Sequence, residues 1–333
     1  MTATIRDVAR LAGTSVATVS AVINDSKYVS PELRRRVEEA IRVLNYRPNR
    51  VGRALATQRT HIVAYFVRST TNPFFPSIIE AVEKAMFQRG YGLLVCNSEG
   101  QHHRAERYRD LLMSHADGVL INLSDQLVRR EIYGAFLDRD KPVVGLTGES
   151  VIDDIDCVVS DDAGGFYQLT RYLIDLGHRE FAFIGPRHTQ RVEAVNKALA
   201  DAGINALVHL PPQGPATTDE DGYRLTGEAF HGAFRPTALI CFNDVLAMGA
   251  LRWCTEHGLS VPHDVSITGC DETYSRFAIP RLTTIRIPVN DMGYTASTIL
   301  LDRIEGKRHE TPRVHAFSPE LVIGESTGRA PAG

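Results

Sequence analysis

The chain has 333 residues, of which 43% are hydrophobic and 23% are charged, and its formal net charge is −3. These values predict a globular protein of two or three domains with a large core. We expect neither a membrane protein nor a secreted one, because no apolar run is long enough to span a bilayer and no apolar segment follows the N-terminus. Five scattered cysteines without a CxxC pair argue against disulfides and a zinc site, and favour reduced thiols in a cytoplasmic protein.

Charge is unevenly distributed along the chain. Residues 1–60 contain eleven Lys or Arg against five Asp or Glu, whereas the remaining residues contain 26 against 35. A small basic segment ahead of a larger acidic body is typical of a polyanion-binding module attached to a second functional unit.

The basic segment begins with three predicted short helices. Thr4 starts the first, with Asp7 at the spacing of a capping box, and Gly13 ends it because glycine tolerates a left-handed backbone. A Thr-Ser pair supplies a cap for the second helix, residues 16–24. Ser30 and a following proline begin the third. Two short helices joined by a glycine turn and braced by a third predict a helix-turn-helix.

The second helix has two distinct faces when its residues are placed at about 100° per step. One face is apolar and is predicted to pack on the neighbouring helices; it contains Val19, Val22 and Ile23. The other face is predicted to point outward, where a DNA groove would admit it, and contains Val16, Ala17, Ser20 and Ala21. A three-helix bundle with a solvated face is the alternative to DNA binding.

Residues 46–60 form a basic connection that follows the third helix. Pro48 ends that helix, and Asn49 is a candidate cap for a short helix that contains Leu55. With Gly52 at its centre, this helix is too short to be stable alone. The segment is therefore either a flexible linker or a linker that becomes helical only when it docks.

Beyond residue 60, short β-rich runs alternate with helical periods. The runs include IVAYFV, GVLIN, FAFIG and VSITGC, and this alternation predicts an α/β fold with doubly wound parallel sheets. Two such series predict two lobes, with a ligand cleft where the carboxyl ends of the strands face each other. The predicted helices lie near residues 74–90, 103–115, 126–139, 162–177, 190–203, 220–232, 244–257 and 291–305.

Motifs for catalysis are not found in this sequence. It contains no GxGxxG after a strand, no Walker sequence, no GxSxG and no HExxH. We therefore expect no enzyme activity, no cofactor and no metal. A solute-binding module without regulatory output is the alternative from another class, and the basic N-terminal segment argues against it.

Seven motifs occur in the order seen in one family, from residue 4 to about residue 327. They are TIRDVARLAGTSVATVS, YRPN, TNPFF, LGHREFAFIG, RPTALICFNDVLAMGAL, GLSVPHDVSITGCDE and RLTTIRIP. On these motifs the chain resembles the LacI/GalR family of bacterial transcriptional regulators, and most of all its ribose- and purine-repressor group. The resemblance implies a DNA-binding domain at 1–48, a hinge helix at 49–60, and at 61–333 a core like type I periplasmic sugar-binding proteins. It also implies a homodimer on near-palindromic operator DNA.

The resemblance assigns DNA contacts to the head and the hinge. Val16 and Ala17 match positions that contact bases, and they offer only apolar contacts such as to a thymine methyl. Ala21 departs from the family, whose members usually carry Arg or His there. Leu55 matches the hinge leucine that wedges into the minor groove. The other matching DNA contacts are Thr4, Ser15, Thr18, Ser20, Asn24, Tyr46 and Arg53.

The resemblance also implies an effector site in the cleft. Its members are two aromatic side chains, two amides, an arginine and an aspartate: Phe74, Phe75, Asn122, Asn243, Arg191 and Asp271. Such groups suit hydroxyl-rich ligands, because each sugar hydroxyl both donates and accepts. The two phenylalanines are equally compatible with a place in the core, Asp271 with a turn, and Asp244 is interpreted as a helix cap.

Two departures bear on the identity of the effector. Thr147 stands where sugar-binding relatives often have Asp, and RVEAV follows where RLAGF is usual. The family resemblance predicts a repressor that a sugar or sugar derivative controls, with induction favoured because the purine repressor lacks an amide at the position of Asn243. A corepressor of purine or nucleoside type is the alternative.

Overall fold

The computed structural model describes residues 3–25, 27–47, 59–123, 130–147, 151–187, 189–210, 218–231 and 233–331. The chain divides into two compact units, Met1–His61 and Ile62–Gly333. Among the described residues we find eleven helices and twelve strands. No helix in these ranges combines the length and the apolarity that crossing a membrane requires.

The first unit is a three-helix bundle, and its helix starts match the sequence prediction. The helices are α1 (Ile5–Leu11), α2 (Val16–Asn24) and α3 (Pro31–Val43). Thr4 and Asp7 form the predicted capping box, and Ser15 accepts the backbone N–H of Thr18 as the cap of α2. Gly13 has a φ of 62°, the left-handed conformation that ends α1.

The core of this bundle contains one face of α2, as predicted. Val19 and Val22 are buried among alanines and valines of α1 and α3, and Ile23 packs against them. The prediction that Ala21 faces outward was wrong, since only 8% of it is exposed. Its methyl group is covered by the protein and is not presented to a DNA groove.

The second unit consists of two α/β lobes, each with a six-stranded sheet. In the first lobe the strand order is β11-β5-β4-β3-β1-β2, and in the second it is β12-β10-β9-β8-β6-β7. All pairings are parallel except that of β12 with β10. The strands are β1 (Ile62–Val67), β2 (Gly92–Asn97), β3 (Gly118–Asn122), β4 (Val143–Leu146), β5 (Asp156–Ser160), β6 (Phe181–Ile184), β7 (Leu207–Leu210), β8 (Ala238–Cys241), β9 (Ser266–Cys270), β10 (Thr283–Arg286), β11 (Val314–Phe317) and β12 (Glu320–Val322).

Four helices pack on each sheet, and the predicted parallel doubly wound fold is confirmed. On the first sheet lie α4 (Phe74–Gln88), α5 (His102–Leu112), α6 (Arg130–Leu137) and α11 (Val289–Ile304). On the second lie α7 (Asp162–Asp175), α8 (Gln190–Asp201), α9 (Asp219–Ala229) and α10 (Asp244–Glu256). The chain passes between the lobes after β5, after β10, and between β11 and β12.

Candidate functional site

The carboxyl ends of the parallel strands bring the predicted cleft residues to one edge of each sheet. Asn122 ends β3 and Thr147 follows β4 in the first lobe, whereas Asp271 follows β9 in the second. Thr147 has a φ of 62° and Asp271 a φ of 99°. Non-glycine residues in this left-handed region are strained, and such residues concentrate at binding sites.

Arg191 is a buried guanidinium in the first turn of α8. Its Nε and Nη2 donate to Oδ2 of Asp162 at 3.0 and 2.7 Å, and its Nη1 donates to the carbonyl of Phe242 at 2.6 Å. The guanidinium carbon also lies 4.2 Å from the centre of the Phe242 ring. Because these partners begin α7 and follow β8, one side chain joins three elements of the second lobe at the cleft.

Asp271 lies beside this pair. Burial raises the pKa of its carboxyl to about 8, the neighbouring Asp244 and Asp162 act in the same direction, and Arg191 counteracts them. Within the described ranges we find no nitrogen that donates a hydrogen bond to this carboxylate. Arg191 is thus hydrogen-bonded to Asp162, whereas Asp271 has no such N–H donor among the described residues.

Asn243, and not Asp244, has the helix-cap role that the sequence suggested for Asp244. Asn243 is the N-cap of α10, where its Oδ1 accepts the backbone N–H of Leu246 at 3.0 Å. Asp244 is the first helical residue and not the cap, so the cap interpretation was wrong. Asn243 as a residue is only 2% exposed, and its amide oxygen caps the helix.

Asp244 instead holds the segment that follows Asp271. Its Oδ2 accepts the backbone N–H groups of Tyr274 and Ser275 at 3.1 and 3.2 Å, and its Oδ1 accepts the hydroxyl of Thr284 at 2.7 Å. Burial raises the pKa of this carboxyl to about 6, against the lowering effect of these hydrogen bonds. The sequence did not indicate this role, since it depends on a contact about thirty residues away in the chain.

In the first lobe a buried polar cluster underlies the strand ends. Asn122 Nδ2 donates to the hydroxyl of Thr147, which donates to the carbonyl of Leu146 at 2.6 Å. Burial also raises the pKa of Tyr65, whose hydroxyl lies beside both residues. Asn122 has no exposed surface, so in this conformation it positions Thr147 at the cleft and presents no surface of its own to a ligand.

The two phenylalanines begin α4 and pack edge to face. Their ring centres are 5.5 Å apart and the rings are inclined by 81°. Phe75 is only 8% exposed and belongs to the main core, whereas Phe74 is half-buried against that core. Of the two, Phe74 therefore has the surface with which to contact a ligand.

On the N-terminal unit, α2 presents part of the predicted DNA face. Val16 is 40% exposed and Ala17 is exposed beside it. The hydroxyls of Ser15 and Thr18 lie 2.9 Å apart at the start of the helix, and Tyr46 packs on the core of the bundle. The side chain of Asn24, and the residues Arg53 and Leu55, lie outside the described residues, so their DNA contacts stay predictions.

Two family descriptions match this chain. "Bacterial regulatory proteins, lacI family" matches residues 4–49, and "Periplasmic binding protein-like domain" matches residues 170–327. The chain is 37% identical over 341 residues to the HTH-type transcriptional repressor PurR of Salmonella typhi, covering 99% of this chain and 98% of the relative. The chain belongs to the LacI family. It is a DNA-binding transcriptional repressor of that family, and the sequence-based family prediction is confirmed.

Solved structures of LacI-family proteins have similar folds. The lac repressor dimer bound to operator and the anti-inducer ONPF aligns with a TM-score of 0.86 at 28% identity, over 98% of this chain and 100% of that one. A LacI-family regulator from Enterococcus faecium with bound ribose aligns with a TM-score of 0.72 at 28% identity, over 80% of this chain and 99% of that one. The predicted combination of a helix-turn-helix and two parallel-sheet lobes is therefore confirmed.

Proposed function

We propose that this LacI-family chain acts as a homodimeric repressor whose affinity for operator DNA is set by a small polar effector in the cleft between the lobes. The observation that carries this proposal is the buried Arg191 held beside Asp271 at the strand ends. A guanidinium and a carboxylate that converge in a cleft of an α/β fold form a polar ligand site. In this repressor α2 contacts the operator DNA, and Arg191 and Asp271 contact the effector.

The effector is of sugar type in this proposal. A carboxylate and an arginine recognise hydroxyl groups that donate and accept at once, and Phe74 supplies an apolar surface for a ring. Support comes from the E. faecium neighbour, which was solved with bound ribose. No cofactor and no catalytic step are needed, and we place the protein in the cytoplasm, where the operator is.

The effector acts either as an inducer or as a corepressor. The likeness to sugar repressors favours an inducer, which releases the repressor from DNA. The amide of Asn243 no longer supports it, because that amide caps α10. Corepression is the second candidate, favoured by the full-length similarity to repressors named PurR. A ligand acts through the lobe arrangement that it binds more tightly, with a coupling of about 1–3 kcal/mol.

The homodimer is supported by apolar side chains that the chain leaves exposed. Strand β2 is the edge of the first sheet, and Leu94 and Val95 on it are exposed. In the second lobe Phe277 and Ile279 are exposed, the latter by 92%. An edge strand with apolar side chains and exposed apolar loops are typical of a surface that a second copy covers.

Alanine variants of Arg191 and Asp271 test both the position of the effector site and whether the effector is an inducer or a corepressor. Arg191→Ala and Asp271→Ala should remain folded and dimeric and should no longer respond to the effector. If they still bind operator, as measured by gel shift, the ligand is an inducer. If they fail to bind operator, the ligand is a corepressor. A normal effector response in both variants would contradict the assignment of the site.

A further inference from the structure

The effector turn, residues 271–275, begins with two consecutive non-glycine residues in the left-handed region of the backbone. Asp271 has a φ of 99° and Glu272 a φ of 52°. The N–H of Asp271 donates to the carbonyl of Ile285 on β10 at 2.9 Å. Two such residues in succession are strained, and a strained turn persists only where the surrounding contacts hold it. The position of the Asp271 carboxyl group therefore depends on contacts outside the effector turn.

Arg286, the last residue of β10, holds the second residue of this turn. Its Nε and Nη2 donate to the two carboxylate oxygens of Glu272, with Nη2 and Oε1 2.7 Å apart. The side chain of Glu272 is only 10% exposed, and its hydrogen bonds with the guanidinium lower the pKa of its carboxyl. Such a forked pair of charge-assisted hydrogen bonds fixes direction as well as distance. Arg286 thus orients the residue that follows Asp271.

The remaining nitrogen of the same guanidinium reaches β12. Nη1 of Arg286 donates to Oε2 of Glu320 at 2.7 Å, and these two residues are direct partners in the antiparallel register of β10 and β12. The side chain of Glu320 is 66% exposed, so this ion pair contributes little to the stability of the fold. It does restrain the guanidinium from the side opposite to Glu272.

Both strands that Arg286 joins lie next to crossings between the lobes. Strand β10 ends at Arg286, and the chain then passes to α11 on the first lobe. Strand β12 begins at Glu320, directly after the chain returns from β11. One guanidinium therefore contacts the effector turn and the strand ends at two of the three crossings.

The three crossings pack against one another near the start of α7. A Cβ atom at Gly165 on α7 would lie 2.9 Å from Cγ of Pro319 and 3.3 Å from Cγ2 of Ile285. Asp161, in the crossing that precedes α7, donates its N–H to the carbonyl of Phe317 at 2.8 Å. Because close-packed groups leave no room for independent movement, a displacement of one crossing displaces the others.

We propose that Arg286 is a positioning residue that links the effector turn to these crossings, so that the Asp271 carboxyl group and the arrangement of the lobes change together. This inference rests on the proposed function, since it names how the same effector site is coupled to the rest of the repressor. An effector that displaces Glu272 moves the guanidinium and, through it, the ends of β10 and β12. A change in the lobes that displaces Glu320 reorients the effector turn in the same way, because coupling between two sites is reciprocal.

Hydrogen exchange of the full-length protein without DNA or effector, followed by mass spectrometry of its peptides, tests this link. The first variant is Glu320→Gln, which removes a charge from an exposed side chain on β12. Among the described residues Glu320 has no direct hydrogen bond or ion pair with the effector turn. We expect exchange of the turn to rise about two- to fivefold, because the guanidinium loses one of its two anchors and the turn opens more often.

The same replacement in an Arg286→Gln background shows whether the effect passes through the guanidinium. There Glu320→Gln should change the exchange of the effector turn by less than about 1.5-fold, because the link is already absent and the two changes are not additive. A purely structural role of either residue would give independent, additive changes. Both side chains are partly exposed, so we expect both variants to stay folded, which circular dichroism checks.

The matched control is Glu228→Gln, tested with and without Arg224→Gln. The side chain of Arg224 is as exposed as that of Arg286, at 39%, but its carboxylate partners Asp221 and Glu228 lie on its own helix, α9. This arginine joins no separate segments through them. Glu228→Gln should therefore leave the exchange of the effector turn unchanged in both backgrounds.

Two results would overturn the inference: unchanged exchange of the effector turn in Glu320→Gln, and an equal rise in the native and Arg286→Gln backgrounds. A gel shift of the native protein on its upstream DNA judges the proposed function separately. Selective DNA binding together with either of those results would refute the link and keep the repressor. The expected exchange without selective DNA binding would keep the link and refute the repressor.

Discussion

The backbone conformation of Asp271 and the burial of its carboxyl group both cost free energy in the folded state. Its φ of 99° is left-handed, a conformation that costs a non-glycine residue about 1–3 kcal/mol. Its carboxyl keeps a proton to a higher pH in the folded protein than in the unfolded chain, since burial raises the pKa to about 8 from 3.8. The folded state therefore loses stability as pH rises from about 4 to about 8.

Asp271→Asn should remove this pH-dependent loss of stability, because the asparagine side chain does not titrate. We expect the difference in unfolding temperature between the variant and the native protein to grow in favour of the variant as pH rises from 4 to 8. Scanning calorimetry of the protein without effector, repeated across this pH range, measures it. A constant difference for Asp271→Asn across the range would show that its carboxylate is compensated after all.

The residues of the cleft differ in how far the sequence could predict them. Arg191 and Asp271 follow from the family resemblance, which assigns an arginine and an aspartate to the effector site. Asp162 was missed, although a carboxylate directly after a strand and at the start of a helix is a usable signal. The role of Asp244 was not accessible, because its partners come from a loop and a strand distant in sequence.

At the scale of elements, α9 and α10 cross at two glycines. A Cβ atom at Gly249 would overlap the carbonyl oxygen of Asp219, and one at Gly222 would overlap the carbonyl of Leu246. The helices therefore approach each other more closely than any side chain at the crossing would allow. Since α10 begins at Asp244, this crossing holds the helix that follows β8 against α9.

Gly249→Ala should destabilise the fold by about 3 kcal/mol, because neither backbone can move away without disturbing the core. Gly203→Ala is the matched comparison: Gly203 has a φ of 68°, and no heavy atom lies within 4 Å of the position that an alanine methyl group would take there. It should lose only about 1 kcal/mol, the cost of left-handed backbone for alanine. Urea unfolding measures both, and equal losses would show that the crossing is loosely packed.

The start of α2 is the element that we expect to enter the major groove. Val16→Asp places a negative charge on that face and should weaken operator binding roughly tenfold to a hundredfold, through lost base contact and repulsion from phosphates. Val43→Asp makes the same change at an exposed position at the end of α3. Fluorescence anisotropy with labelled duplex should show little effect of that control. Equal effects of the two variants would place the DNA contact elsewhere.

At the scale of the whole molecule, most strands and helices were predictable because periodicity and strand–helix alternation are local signals. The strands β10, β11 and β12 were not predicted, because they lie next to the crossings between the lobes, where the strand–helix alternation stops. The two-lobed arrangement depends on these crossings. The pattern of apolar residues therefore predicted the layers of the fold better than the connections that join them.

The homodimer is a whole-molecule prediction with a direct test. Leu94→Asp on the edge strand β2 and Ile279→Asp in the second lobe each place a charge where we expect a second copy. Sedimentation of the double variant should give a monomer, with its circular dichroism spectrum unchanged. Val314→Asp, on the opposite edge strand of the first sheet, is a control that should stay dimeric. A dimeric double variant would place the interface on another surface.

Operator binding with and without effector tests the central claim most directly. The measurement is a gel shift of the full-length protein at moderate salt on DNA from upstream of its own gene, against a scrambled duplex. We predict a sequence-selective complex of one dimer, whose affinity changes when the effector is added and no longer changes in Arg191→Ala. No selective retardation, with or without the candidate sugars and purines, would contradict the account.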